Sequence, residues 1–247
     1  MIYLAKGRKG KEMAKIGVIG AMAIEVELLK SKFTDSSEKH SGGITYFEGK
    51  INGVDVVVVQ SGVGKVNAAL CAQRLILEFG VTHIINTGIA GAMAKGLKVF
   101  DLVVSTDAVY HDMDAVGFGY KPTEIPQMKC SDFLADPDMI DKVKKAFQSL
   151  EIARGHNLVE GRIATGDQFI SDKNVKNRIA EICSPACVEM EGTAIAHACY
   201  INNVSFVIIR CMSDMADDNS ESTYSFNEKE AAELSGNVTL KVIEQYS

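Results

Sequence analysis

No stretch of this chain reaches the roughly 18 consecutive apolar residues that a bilayer-spanning helix needs, which argues against a helical membrane protein. An excess of positive charge is missing as well. The net charge is −6 and the pI about 5.4, so an electrostatic grip on nucleic acid is not expected. The six cysteines (Cys71, Cys130, Cys183, Cys187, Cys199 and Cys211) form no CxxC pair, and Cys183 and Cys187 have no His/Cys cluster nearby. They read as reduced packing residues of a cytoplasmic protein rather than as a zinc site or a disulfide framework. His111, Asp112 and Asp114 read as a polar loop cluster, so no metal is expected. Two nucleotide-binding signatures are absent too. "SGVGK" at 61–65 lacks the four-residue spacing and following hydroxyl of a Walker A loop, and no GxGxxG follows the first strand pattern. The second absence excludes a nicotinamide oxidoreductase of the usual kind.

What is present is a chain of 247 residues, 47% hydrophobic and 23% charged, which suits one globular domain with a sizeable core. Residues 1–13, "MIYLAKGRKGKEM", read as a polar tail without the apolar core of a secretory signal, and Met13 is expected to be the natural start. From residue 14 onward the pattern alternates as one catalytic domain. "KIGVIGA", "THIINTG", "FDLVVSTDAVY", "LVEGRIATGDQFI", "CVEM" and "SFVIIRCMSD" read as buried strands. "AIEVELLKSKF" reads as a helix with Ile24, Leu28 and Leu29 on its buried face. "KVNAALCAQRLILEFG", "SDKNVKNRIAEIC" with Ser171 as N-cap, "EGTAIAHACYIN" and "NEKEAAELSGNVTLKVIEQY" read as further helices. Asn52-Gly53 marks a hairpin. The expected fold is an α/β three-layer sandwich whose mixed, mainly parallel central sheet is flanked by helices. Residues 117–126 and 215–225 lack periodicity and read as long loops.

Ligands of open α/β sheets bind at the carboxyl ends of strands, so the residues after each strand carry the functional signal. Met22 and, one turn on, Glu25 follow the first strand; Val63 follows "VVVVQ"; Ile89 follows "THIIN". Phe169 and Ile170 follow "LVEGRIA", Met190 closes "CVEM" and Glu191 follows it, and Ser213 and Asp214 close "SFVIIRCMSD" behind Arg210. Each has a plain structural alternative: a solvated helix face for Glu25, a turn cap for Asp214, an ion-pair partner for one of Glu189 and Glu191. Their joint position at strand ends points instead to one small site. Glu189 reads as the structural ion pair of its couple.

In order, "IGVIGAMAIEVELL", "SGVGKVNAA", "INTGIAGA", "ATGDQFI", "VEMEGTAIAH" and "VIIRCMSDMAD" resemble the nucleoside phosphorylase/hydrolase superfamily, most of all its 5′-methylthioadenosine/S-adenosylhomocysteine nucleosidases. The resemblance covers residue 15 to the C-terminus. It implies hydrolysis of the N-glycosidic bond between adenine and a 5′-thio-substituted ribose, in methionine salvage and methyl-cycle by-product removal, with no cofactor. By position Glu25 matches the water-activating glutamate, Glu191 the residue on the ribose hydroxyls and Asp214 the acid for the purine. Met190 matches the methionine beneath the ribose. Phe169 and Ile170 match the adenine-binding pair, while Arg210 and Ser213 match residues supporting the water and the acid. Phe118, Tyr120, Pro126 and Phe226 match the apolar pocket for the 5′ substituent, part of which comes from a partner subunit in this family; a homodimer is therefore implied. Two departures stand out: Ala23 and Ile24 replace glutamates, and Ile89 replaces a common serine.

The chemistry asks for these residue types. Such a bond breaks through an oxocarbenium-like sugar, so a carboxylate beside the ribose and an acid beside the purine each lower the barrier. A glutamate rather than an arginine in "GAMAIEVE" disfavours phosphate and suits water. The competing readings are a purine nucleoside phosphorylase and a nucleoside-binding protein without catalysis.

Overall fold

Val54, Val56 and Val58 face one side of a strand and Val57 and Val59 the other, and all five are buried. A strand apolar on both faces needs cover on both, and that requirement builds the layers. This strand, β4 (Val54–Gln60), lies parallel to β1 (Lys15–Gly20), which lies parallel to β5 (His83–Ala92). β2 (Asp35–Ser41) and β3 (Ile44–Ile51) extend the sheet outward from β4 as antiparallel neighbours. The computed structural model describes residues 14–217 and 219–247. The expected tail at 1–13 and its start at Met13 lie outside the described residues.

On the other side of β5 the sheet closes on itself. β5 pairs in parallel with β10 (Ser205–Asp214), β10 antiparallel with β6 (Leu102–Tyr110), and β6 in parallel with β8 (Leu158–Thr165). β8 then pairs in parallel with β9 (Cys187–Glu189), and β9 returns to the last residues of β5. The two-residue β7 (Phe133–Leu134) leans on β6. The sheet is therefore mixed, with parallel pairings through its centre.

Helices α1 (Ala23–Lys30), α3 (Pro137–Ser149) and α6 (Ser220–Glu244) cover one face, where Val26, Leu29, Met139, Val143 and Val238 enter the core. α2 (Lys65–Leu77) and α5 (Gly192–Asn202) cover the other with Ala68, Leu75, Ile195 and Cys199. α4 (Lys173–Cys183) closes a smaller core with Ile179 against Val109, Ala164 and Val188. No helix among the described residues is long and apolar enough to cross a membrane. All six cysteines are free, and only Cys130 among them is not buried.

Several elements differ from expectation for identifiable reasons. β2 is wholly polar and almost entirely exposed at the sheet edge, so no apolar alternation announces it. α3 has its own signature: Asp136 accepts from the backbones of Asp138 and Met139, Pro137 opens the first turn, and Met139, Val143 and Ala146 repeat at helical spacing. The cap of α4 is Asp172 rather than Ser171; its carboxylate accepts from Asn174 and Val175. α6 begins at Ser220, so residues 220–225 are helix and not loop. The buried face of α1 is Glu25, Val26 and Leu29, with Ile24 and Leu28 only half-buried against it. A carboxylate on that face is the first sign that the helix serves a site.

Leu75 is wholly buried and lies where Gly17 leaves room on β1. Leu75→Ala is expected to cost about 2–5 kcal/mol in urea denaturation with an unchanged slope, because the tight surroundings collapse poorly onto the gap.

Candidate active site

The carboxyl ends of β1, β5, β9 and β10 open on a cavity of about 420 Å³. Eleven of the sequence-nominated residues line it: Met22 and Glu25 from α1 and its entry, Val63 from the β4–α2 turn, and Ile89 from β5. Phe169 and Ile170 come from the loop after β8, Met190 and Glu191 from the seam between β9 and α5, and Arg210, Ser213 and Asp214 from β10. Phe118, Tyr120, Pro126 and Phe226 do not line the cavity within this one chain. Phe118 and Phe226 are 88% and 89% exposed, and Tyr120 and Pro126 are half-buried elsewhere.

Arg210 organises the polar wall. It is 1% exposed, and one terminal nitrogen binds Glu189 closely and lies 2.7 Å from the Asn86 side-chain oxygen. Glu191 lies 3.5 Å from the same nitrogen, and Glu25 lies 3.9 Å from the other. Three buried acids thus share one guanidinium. Burial works against the charge of Arg210, but Glu189, Glu191 and Glu25 outweigh it, so its affinity for the proton rises.

Glu25 is 2% exposed and folds back over its own helix start. One oxygen accepts from the N–H groups of Ala21 and Met22 at 2.7 and 3.0 Å, the other from Ile89 N–H at 3.1 Å. Burial raises the affinity of its carboxyl for the proton, with Arg210 and these N–H groups pulling the other way. Gly88 makes the approach possible: a Cβ there would stand 2.3 Å from Glu25 Oε1 and 2.4 Å from a terminal nitrogen of Arg210. A glycine inside β5 thus makes room for the acid and its arginine.

Glu189 and Glu191 reach the same arginine by different means. Glu189 ends β9 and binds Thr165 Oγ1, while its other oxygen accepts from the N–H groups of Glu191 and Gly192 at 3.1 and 2.6 Å. It anchors the first turn of α5, where the helix dipole favours negative charge. Glu191 lies beyond the strand, 4% exposed, and accepts 2.9 Å from the Gly64 N–H. Burial, opposed by Arg210 and reinforced by Glu189, pushes its carboxyl up to about 7.

A register shift between Met212 and Asp214 against β5 marks a bulge at Ser213. On a regular strand Ser213 and Asp214 would face opposite sides; the bulge turns both to the cavity. Asp214 is 3% exposed, accepts from Ser213 Oγ at 2.8 Å and from Ala216 N–H at 2.8 Å.

Sequence reasoning missed the wall from α6. Glu221, Tyr224 and Ser225 line the cavity, and the Tyr224 hydroxyl lies 3.3 Å from both Met22 Sδ and Glu228 Oε1. The Tyr224 ring meets Phe169 edge-on at 5.6 Å. The 221, 224, 225 spacing was the available signal, hidden in a stretch that reads as loop.

The sequence pattern described as the Phosphorylase superfamily matches residues 15–244. A 5′-methylthioadenosine/S-adenosylhomocysteine nucleosidase of Colwellia psychrerythraea is 41% identical, over 94% of this chain and 96% of its own. The solved structure of the nucleosidase of that name from Neisseria meningitidis, in complex with methylthio-immucillin-A, superposes with a TM-score of 0.89 at 35% identity, covering 94% of this chain and 99% of its own. The native futalosine hydrolase of Helicobacter pylori reaches a TM-score of 0.88 at 29% identity, over 94% and 98%.

The raised carboxyl of Glu191 has a thermodynamic consequence. Its value is about 7 in the fold against 4.5 for the free side chain. Between those values the folded chain binds more protons than the unfolded one, so this group lowers stability as pH rises through the window. Glu191→Gln is expected to be more stable than wild type at about pH 8, by up to about 3 kcal/mol. The difference should fade toward about pH 4.5 in denaturant titrations repeated across pH.

Proposed function

The chain belongs to the phosphorylase superfamily, and on that premise we propose that it hydrolyses the N-glycosidic bond of 5′-methylthioadenosine and S-adenosylhomocysteine, releasing adenine and the 5-thio-substituted ribose. The observation that carries the choice of water over phosphate is the state of Arg210. Among the described residues it is the one cation lining the cavity, and its charge is committed to Glu25, Glu189 and Glu191. An incoming phosphate would meet carboxylates without a free positive partner, whereas a water finds hydrogen-bond acceptors.

The reaction divides among the acids. The bond from the anomeric carbon to the purine nitrogen breaks, and its electron pair leaves with the base. Asp214 gives a proton to the imidazole ring of the purine, so adenine departs neutral. Glu191 holds the ribose hydroxyls and, ionised, stabilises the oxocarbenium-like sugar. Glu25 takes a proton from the water whose oxygen bonds to the anomeric carbon. Met190 lies under the sugar as a polarizable surface, and Phe169 supplies a face for the adenine ring. Glu191 acts as a charge, so the raised carboxyl places the acid limb of the pH–rate profile near neutrality, with activity rising as pH increases through it.

The domain runs from residue 14 to 247 and works as a homodimer. Support comes from Phe118 and from the outer face of α2, where Val66, Leu70 and Leu77 are exposed at helical spacing. Apolar faces of this kind mark interaction surfaces. Phe118, Tyr120, Pro126 and Phe226 then belong to the 5′-substituent pocket assembled with the second subunit.

Activity assays and light scattering test these readings. Adenine should appear from 5′-methylthioadenosine in phosphate-free buffer, and Asp214→Asn should lower turnover by about 10²–10⁴-fold. A requirement for phosphate would make the enzyme a phosphorylase instead, and a nucleoside panel that includes futalosine derivatives separates the substrate classes. Light scattering should give twice the chain mass, with Leu70→Glu shifting the protein to monomer and depressing activity.

A further inference from the structure

Lys65 of the "SGVGK" turn and Asp112 beside His111 have no part in the reaction as drawn. Both belong to one knot of contacts at the rim of the cavity. Lys65 Nζ lies 2.5 Å from Asp112 Oδ2 and 3.6 Å from Asp167 Oδ2. The backbone closes the knot: Lys65 N–H donates to Asp167 Oδ1 at 2.9 Å, and Asp167 N–H donates to Asp112 Oδ2 at 3.1 Å. These contacts join three strand-end loops that are 47 to 102 residues apart in the chain.

Two of those loops carry site groups immediately next to the knot. Gly64, the residue before Lys65, donates its N–H to Glu191 at 2.9 Å. Its φ is +99°, and a Cβ there would meet Asp167 Oδ1 at 3.2 Å, so the backbone is held between Asp167 and Glu191. Phe169 follows Asp167 by two residues and forms part of the cavity wall. All three charged side chains are partly exposed. Partly exposed pairs of this kind contribute little to stability, so the fold itself has little need of them.

We propose that Lys65, Asp112 and Asp167 are positioning residues that clamp the sugar-side and base-side loops together, acting on Glu191 through the Gly64 N–H. The proposal rests on the reading of Glu191 as the ribose-side carboxylate. Glu191 faces the Gly64 N–H from the β4–α2 turn, Glu25 from α1, Glu189 from β9 and Arg210 from β10. When the clamp is cut, Glu191 loses its backbone donor while the other charges stay. Loss of a donor to a carboxylate raises its affinity for the proton. The acid limb of the rate profile then moves to higher pH, an effect that a general loosening of the fold does not produce.

The test is steady-state hydrolysis of 5′-methylthioadenosine across pH by wild type, Lys65→Met, Asp112→Asn, their double variant and Lys65→Arg, with melting temperatures for each. The two single variants should lose about tenfold to a hundredfold in kcat/KM, the scale of a small misplacement of reacting groups. Their acid limbs should shift upward, and their melting temperatures should stay within about 4 °C of wild type. The double variant should be no worse than the poorer single variant, as for two members of one unit. Lys65→Arg should retain most activity. Wild-type kcat/KM and an unmoved acid limb in the folded single variants would overturn the clamp, as would fully additive losses. Should Lys65→Met fail to fold, Asp112→Asn and Asp167→Asn decide the question by the same readouts. A wild-type enzyme that releases no adenine would refute the reading of the site instead, a result separate from any ratio of variant to wild type.

Discussion

Arg210 is the constraint on which the site depends. Its guanidinium, buried on β10, draws together Glu25 from α1, Glu189 from the end of β9 and Glu191 from the entry to α5. Withdrawing one carboxylate from water costs several kcal/mol, and three would be prohibitive without a shared cation and backbone donors. The structure supplies both. Glu25 accepts three N–H groups, Glu189 accepts two more, and Glu191 accepts one from Gly64. Glu191 has the fewest backbone donors of the three, and its carboxyl is pushed up to about 7. Environment, not residue type, distinguishes these chemically similar acids.

The same arrangement explains why water is the proposed nucleophile. A superfamily that hosts both phosphorolysis and hydrolysis needs a switch at the position of the attacking group. On the proposed reading that position is walled by Glu25, and the nearby arginine is already committed to carboxylates. Excess negative charge repels phosphate and accepts a proton from water. The apolar part of the wall, from Met22, Ile89, Met190 and Phe169, keeps the dielectric low, so the charges in the cavity act strongly on one another.

The geometry around the arginine is made by backbone irregularities. Gly88 lets Glu25 pass directly over β5, and the bulge at Ser213 turns two consecutive side chains of β10 to one side. The closure of β5, β10, β6, β8 and β9 into a ring brings the seam of β9 and α5 opposite the end of β1. The polar first turns of α6 add Glu221, Tyr224 and Ser225 at the mouth.

The sequence by itself determined the layers, most strands, and the short list of acids at strand ends, because buried strands and helices announce themselves by apolar period and glycines by position. The six motifs also carried the family. Wholly polar elements were illegible: β2 at the sheet edge and the first turns of α6 bury too little apolar surface to leave a pattern. Only the tertiary structure decided that Glu189 and Glu191 meet one arginine through a strand end and a helix entry rather than through strand alternation. It alone showed that Tyr224 forms a wall, and that Phe118 and Phe226 stand free of the cavity in a single chain. The physical reason is distance along the chain. A charge balance among residues as far apart as Glu25 and Arg210 has no period and no local signature; it exists only where folding brings the groups within a few ångströms.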